Sequence, residues 1–293
     1  TSVTVNSSTV SSPTKMSVSI TIGFDATLGS RDIVVTNPAP GGGSAALPGL
    51  FSIVNPSPTL MAVLPISASR GDVLDVVLTG TGLIAGVTTV NFGDGITVKS
   101  VAVSNATQAT ANIAVGVGAV AGVRAVSVTN PAPGGGTSTL GSAFTAGNPA
   151  PTIVSISPDH GEWGQSFQAT VRGAGFLKGV TSLSMGDGLM IDSMTVDSIS
   201  HLHARLSIAG TTQAGRRGVS VTNVPPGGGT STLINGFTVL YPQPTIVAVT
   251  PSVGVCGQQM SVTVIGTNFV AGRTALSFGN GIMVHSIDFD DPT

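Results

Sequence analysis

His201 and His203 stand two residues apart, so on a β-strand both imidazoles would leave the same face, the start of a metal site. Two ligands do not make a zinc site, which needs four. His160, Glu162 and Trp163 gather in one short stretch, and Trp163 is the only tryptophan in the chain. An indole exposed beside polar groups can stack on a sugar face. The same three residues would serve as a wedge filling the joint with a neighbouring domain. The strings Pro133-Gly134-Gly135-Gly136 and Pro226-Gly227-Gly228-Gly229 invite comparison with phosphate-binding loops. No lysine follows at Walker spacing, however, and no helix follows to present its N-terminus, so a rigid loop at a domain joint is the expectation. Gly93-Asp94-Gly95 offers one carboxylate where calcium takes six to eight oxygens, and a tight hairpin turn accounts for it. Serines are plentiful, but none lies in a Gly-x-Ser-x-Gly elbow, and Cys256 has no histidine context for nucleophilic catalysis. Cys256 is expected in a small buried or half-buried place. The residues thus point to no catalytic group, no cofactor and no metal.

The elements that must position these residues are strands. Of 293 residues, 40 are Gly, 18 Pro and 68 Ser or Thr, and only 8% are charged, against about 25% in ordinary soluble domains. One Glu and three Lys face a wealth of Val, Ile and Thr, which favours pleated strands over helices. A net charge of −2 provides no basic stripe for nucleic acid or anionic membrane. A single cysteine forms no internal disulfide, and no apolar run approaches the ~18–20 residues that span a bilayer. The chain begins at Thr1 with neither Met nor signal segment, which suggests a removed leader or a piece of something longer.

An internal repeat organises the whole chain. Thr36-Asn37-Pro38-Ala39-Pro40-Gly41-Gly42-Gly43 recurs from Thr129 and, as Thr-Asn-Val-Pro-Pro-Gly-Gly-Gly, from Thr222, both steps being 93 residues. Pro58-Thr59, Pro151-Thr152 and Pro244-Thr245 keep that step. So do Gly80-Thr81-Gly82-Leu83, Gly173-Ala174-Gly175-Phe176 and Gly266-Thr267-Asn268-Phe269. A unit of 93 residues matches one small β-sandwich of about 100. Within it, apolar residues alternate between turn signals, so Leu74, Val76, Leu78, Ala111, Ile113, Val126 and Val128 are expected inside. His201 and His203 correspond to Gln108 and Thr110 and to Lys15 and Ser17, which marks an outward polar face. Arg31, Arg124 and Arg217 recur just before an apolar strand, which suggests pairing with backbone carbonyls or with an acid at a joint. Asn6-Ser7-Ser8 and Asn105-Ala106-Thr107 are glycosylation sequons.

Pro151-Thr152-Ile153-Val154 with Pro158, the Gly-x-Gly-Phe string at Gly173, and Val128-Thr129-Asn130-Pro131-Ala132-Pro133 running into Gly134-Gly135-Gly136-Thr137-Ser138 resemble the IPT/TIG repeats of many bacterial surface and secreted proteins. The resemblance covers essentially the whole chain. It implies an all-β chain of tandem immunoglobulin-like β-sandwiches in an extracellular or cell-surface setting, and it carries over no catalytic residue. The same fold class occurs in plexins and in some transcription factors, but the near-neutral charge disfavours the DNA-binding branch.

By this phase, residues 57–149 and 150–242 are complete domains, residues 1–56 hold only the later half of a unit, and residues 243–293 hold only the earlier half. Thr1 is equivalent to Asp94 and Thr293 to Thr107, so the two flanks together cover one unit with little duplication. Each half leaves bare apolar faces. Two completions stand open: further repeats of a longer array, or copies of the same chain joined head to tail through composite domains. The linkers, such as Asn55-Pro56-Ser57-Pro58, are proline-rich and semi-rigid. The expected function is a non-enzymatic surface stalk, fibre or filament. The rival is a carbohydrate-binding or adhesin module, with surface glycans as partner through loops such as that of Trp163.

Overall fold

In the computed structural model residues 2–290 are described; Thr1 and Thr293, which close the phase argument above, lie outside the described residues. Contacts divide the chain into two units, 1–149 with 224–228, and 150–223 with 229–293. No helix of the described residues is long and apolar enough to cross a membrane.

In the first unit, β1 (Val3–Ser12) and β2 (Lys15–Ile22) form one antiparallel hairpin, and β3 (Gly29–Asn37) with β4 (Gly43–Ile53) another. A sandwich follows from β5 (Thr59–Leu64), β6 (Ser67–Ser69), β7 (Val73–Thr81), β8 (Thr89–Asn91), β9 (Ile96–Asn105), β10 (Gln108–Val115), β11 (Gly122–Asn130) and β12 (Gly136–Gly147). Its sheets run β5-β7-β10-β9 and β6-β12-β11-β8. Taking β5 and β6 as two halves of the first strand, this is the ABED and CFG arrangement of an immunoglobulin constant-type sandwich. The split first strand changes sheets, so β6 pairs with β12 in parallel.

Alternation along β7, β10 and β11 sends every second residue inward. Val76, Leu78, Ala109, Ala111, Ile113, Val126 and Val128 are fully buried. Leu74 is only partly so, because it lies at the mouth of the sandwich, one residue into β7. Phe92 meets Phe144 edge to face in the same core, with ring centroids 5.2 Å apart.

The second unit repeats the plan with β13 (Thr152–Ser157), β14 (His160–Glu162), β15 (Ser166–Ala174), β16 (Ser182–Ser184), β17 (Leu189–Ser198), β18 (His201–Ile208), β19 (Gly215–Asn223) and β20 (Gly229–Leu240). Its sheets, β13-β15-β18-β17 and β14-β20-β19-β16, have the same order and enclose a separate core. Then β21 (Thr245–Thr250) pairs with β22 (Thr263–Thr267). The strand β22 has five residues where its counterparts β7 and β15 have nine. Those counterparts are flanked on both sides, by β5 and β10 or by β13 and β18, whereas β22 has β21 alone. One-sided pairing leaves a strand without the second ladder that holds its ends.

Candidate interaction site

Pro158 closes β13, and the chain crosses to the other sheet as β14, where His160 and Glu162 stand in parallel register with Thr238 and Leu240. The imidazole Nδ1 of His160 lies 2.8 Å from an Asp159 carboxylate oxygen, both side chains being largely exposed. That hydrogen bond, followed by a backbone hydrogen bond, holds the Asp159 carboxyl below the usual carboxylate range. The Glu162 amide donates to Gln165 Oε1 at 2.8 Å, closing the turn into β15. Trp163 lies edge to face with Tyr241, centroids 5.0 Å apart and planes at 83°, and packs against the second core. Its indole N–H is buried without a hydrogen-bond partner.

The first sandwich fills this place with different chemistry. One repeat step back, Trp163 is Arg70 and Tyr241 is Asn148. There the Arg70 guanidinium donates to the Asn148 side chain and, at 3.1 Å, to the Ala119 carbonyl. A polar pair in one domain and an aromatic pair in the next bridge the start of β7 or β15 to the end of the last strand. The third position of the series is Cys256, and here the sequence expectation fails: Cys256 is exposed. Its burial depended on a last strand of the same sandwich to lie against, and the sheet of β21 and β22 contains none.

The glycine strings take up a clear position in the first unit. The Asn55 amide donates to Pro133 O (2.9 Å), the Gly135 amide to Asn55 O (2.8 Å), and the Asn55 side chain to Pro131 O (2.8 Å). A Cβ on Gly134 would come to 2.5 Å from Asn55 O, and both Gly134 (φ 70°) and Gly135 (φ 66°) are left-handed; only glycine satisfies both conditions cheaply. Gly136 opens β12. The segment 224–228 repeats the arrangement: the Asn148 amide donates to Pro226 O and the Gly228 amide to Asn148 O, both at 2.7 Å, while Gly227 faces Asn148 O. Gly229 begins β20. Two asparagines at equivalent places in successive linkers are therefore held by the same backbone bonds.

The other candidates are dispersed. His201 and His203 lie on β18, one with its ring 2.8 Å from Ser200 Oγ, the other bonded to Asp197. No group of three His, Cys, Asp or Glu that could hold a metal occurs among the described residues. Gly93-Asp94-Gly95 joins β8 to β9, which belong to different sheets. It is therefore a corner between sheets and not the expected hairpin turn, both glycines having positive φ. Arg31, Arg124 and Arg217 donate to the carbonyls of Thr27, Val120 and Gln213, four residues back in each case.

One set of residues escaped the sequence reading. The Asn130 side chain, fully buried, donates to Pro56 O (2.9 Å) and Gly82 O (2.7 Å) and accepts from the Thr88 hydroxyl at 2.7 Å. Thr88 Oγ1 in turn accepts the Ile84 amide at 2.8 Å. The second sandwich reproduces this with Asn223, Thr181, Leu177 and Gly175 O. The signal was present: Thr88, Thr181 and Thr274 keep the repeat step, as do Asn37, Asn130 and Asn223. Asn130→Ala is expected to orphan two carbonyls and cost about 2–3 kcal/mol, measurable as an earlier urea midpoint with an unchanged slope. An unaltered midpoint would show that the latch contributes nothing.

No family model matches the chain, and no curated protein matches it. Among solved structures it is similar to the extracellular region of plexin A4, at 17% identity over 67% of this chain and 16% of that one, with a TM-score of 0.26. It is also similar to the Yersinia pseudotuberculosis adhesin InvE, at 14% identity over 62% of this chain and 58% of that one (TM-score 0.37). A tandem segment of titin shares 14% identity over 62% of this chain and 66% of that one (TM-score 0.35). The chain thus spans about a sixth of the plexin chain it matches, 16%. At such scores the strand order, not the likeness, establishes the immunoglobulin-like sandwiches.

Proposed function

We propose that the chain is a non-enzymatic extracellular structural protein, a surface stalk, fibre or filament built from immunoglobulin-like repeats of the IPT/TIG kind. The observation that carries this reading is the repeated clamp, in which the asparagine of a linker, Asn55 or Asn148, is held by the proline-glycine segment at Pro133 or Pro226. A backbone-to-backbone clamp on Asn55, and again on Asn148, restrains the linker residue it holds, which is the property a spacer needs. The low charge supports it too, because surfaces rich in Ser and Thr pack without like-charge repulsion. The partners of this reading are further repeats or other copies of the chain. Gold-labelled antibody on thin sections of source cells, viewed by electron microscopy, is expected to decorate surface fibres. Label confined to the cell interior would overturn the reading.

One observation favours a second reading, an adhesin module that binds surface glycans: Trp163 and Tyr241 form an aromatic pair, and Tyr241 keeps 38% of its surface exposed. Aromatic faces stack on sugar rings. On a glycan array this reading expects selective binding that falls at least tenfold in Trp163→Ala. The structural reading expects no selective binding, with Trp163→Ala lowering only the melting temperature of the second sandwich.

A further inference from the structure

We infer that the outer face of the sheet β13-β15-β18-β17 in the second sandwich binds an acidic polysaccharide, a sugar chain bearing carboxylate or sulfate groups, through Arg172, His201, His203 and Arg205. In naming a glycan this rests on the adhesin reading above, but it uses a different part of the sandwich from the turn that carries Trp163.

Strand alternation and register gather these four side chains. Leu202, Ala204 and Leu206 of β18 and Ala169 and Val171 of β15 are buried in the core, so His201, His203 and Arg205, with Thr170 and Arg172, take the opposite face. The pairing of β15 with β18 sets Arg172 opposite His201, Thr170 opposite His203 and Gln168 opposite Arg205. On the neighbouring strand β13, Ser155 stands beside Arg172 and Ser157 beside Thr170. The result is a band of cationic or protonatable groups two strands wide, bordered by hydroxyl and amide side chains.

The acids of this region stand to one side. Asp192 and Asp197 are at the two bulges of the edge strand β17. Asp197 holds His203 through Nδ1, while Asp192 accepts the Ser207 hydroxyl at 2.9 Å and lies 4.0 Å from Arg205 Nε. The Nδ1 of His201 is 2.8 Å from Ser200 Oγ. Both imidazoles thus keep Nε2 for a ligand. Arg172 is exposed and enters no ion pair among the described residues.

Folding does not call for this arrangement. The equivalent positions in the first sandwich are Thr79, Gln108, Thr110 and Asn112, which carry no charge and cover the same kind of core. Like charges directly opposite each other on a sheet cost stability, and Arg172 opposite a protonated His201 is such a pair. A chain with only eleven Lys and Arg has nonetheless placed two arginines and two histidines on one face of one domain, which its net charge of −2 conceals. An anion lying between them removes the repulsion.

The chemistry selects the ligand. A guanidinium meets the paired oxygens of a carboxylate or sulfate with two parallel N–H donors, and Ser155, Ser157, Thr170 and Gln168 beside it match sugar hydroxyls. Arg172 lies opposite His201, four residues before Arg205, which is about 13 Å along the strands. A chain of sugars, and not a single ring, reaches both. Nucleic acid fits less well, because duplex binding draws on roughly 6–10 phosphate contacts and a single strand needs aromatic platforms. This face carries no Phe, Tyr or Trp.

The test uses the full chain and affinity gels containing polygalacturonate, dextran sulfate or neutral dextran. Retardation is expected with one or both acidic polymers and not with dextran, the two acids distinguishing carboxylate from sulfate. Arg172→Gln with Arg205→Gln should raise the dissociation constant for the retarding polymer at least tenfold and leave the melting of both sandwiches unchanged, since both side chains are exposed. Arg216→Gln with Lys99→Gln removes the same charge from other strands and should change it less than twofold. No retardation by either acidic polymer, an equal loss in the two double variants, or tighter binding of a single-stranded oligonucleotide would each overturn the inference. Trp163→Ala separates the two glycan sites. Retardation lost there but kept in the Arg172 and Arg205 double variant sinks this face and leaves the adhesin reading at Trp163; the opposite result does the reverse.

Discussion

Val128→Asp is expected to strip the first complete sandwich of a large part of its stability, lowering its melting temperature by roughly 15–30 °C. Val128 is fully enclosed, its strand flanked by Val90 of β8 on one side and Ser138 of β12 on the other, and no cation lies inward of it to pair with a carboxylate. An unpaired charge in such a place costs roughly 4 kcal/mol or more, against a total of about 5–15 kcal/mol for a domain. The second sandwich has its own core and its own Val221, so its melting should persist. Two transitions in the parent, of which one alone falls to a much lower temperature in the variant, is the calorimetric signature. An unchanged trace would mean that β11 turns its other face inward.

Gly80→Ala is expected to peel β5 from β7. A methyl group on Gly80 would be driven into the Thr59 carbonyl oxygen, and the same obstruction recurs at Gly173 with Thr152 and at Gly266 with Thr245. A backbone carbonyl in a ladder cannot swing aside as a side-chain end can, so the strand itself must move. Leu60 and Val63 would lose their cover with it. The expected loss is about 3 kcal/mol, with faster amide exchange confined to β5. Gly118→Ala is the control: nothing lies within 4 Å of its would-be methyl group and its φ is not positive, so its melt should match the parent within error. Equal stability of the two variants would show that the close approach does not exist in solution.

How much of this was legible beforehand depended on the range of the interaction. The inward residues of β7, β10 and β11 could be read from a period of two, because side chains on a strand alternate whatever lies opposite. The glycines of the Gly-x-Gly string were visible as a recurring motif, but the obstacle Gly80 avoids, a carbonyl on β5, became known only once β5 was paired with β7. Trp163 was singled out for its rarity, whereas its contact is Tyr241, most of a repeat away in sequence. Cys256 was expected in a small buried or half-buried place and is exposed, because burial at that position requires a strand from the far end of a unit.

Composition, strand phase and the 93-residue step were thus determined by the sequence alone, since each is a property of the chain read locally or against itself. Only the tertiary structure decided which asparagine latches which carbonyl, that the proline-glycine loops clamp Asn55 and Asn148, and that the flanking strands form with their apolar faces open. The physical reason is that a strand's alternation says which residues want covering, while the identity of the cover is set by sheet order and register between residues far apart in the chain.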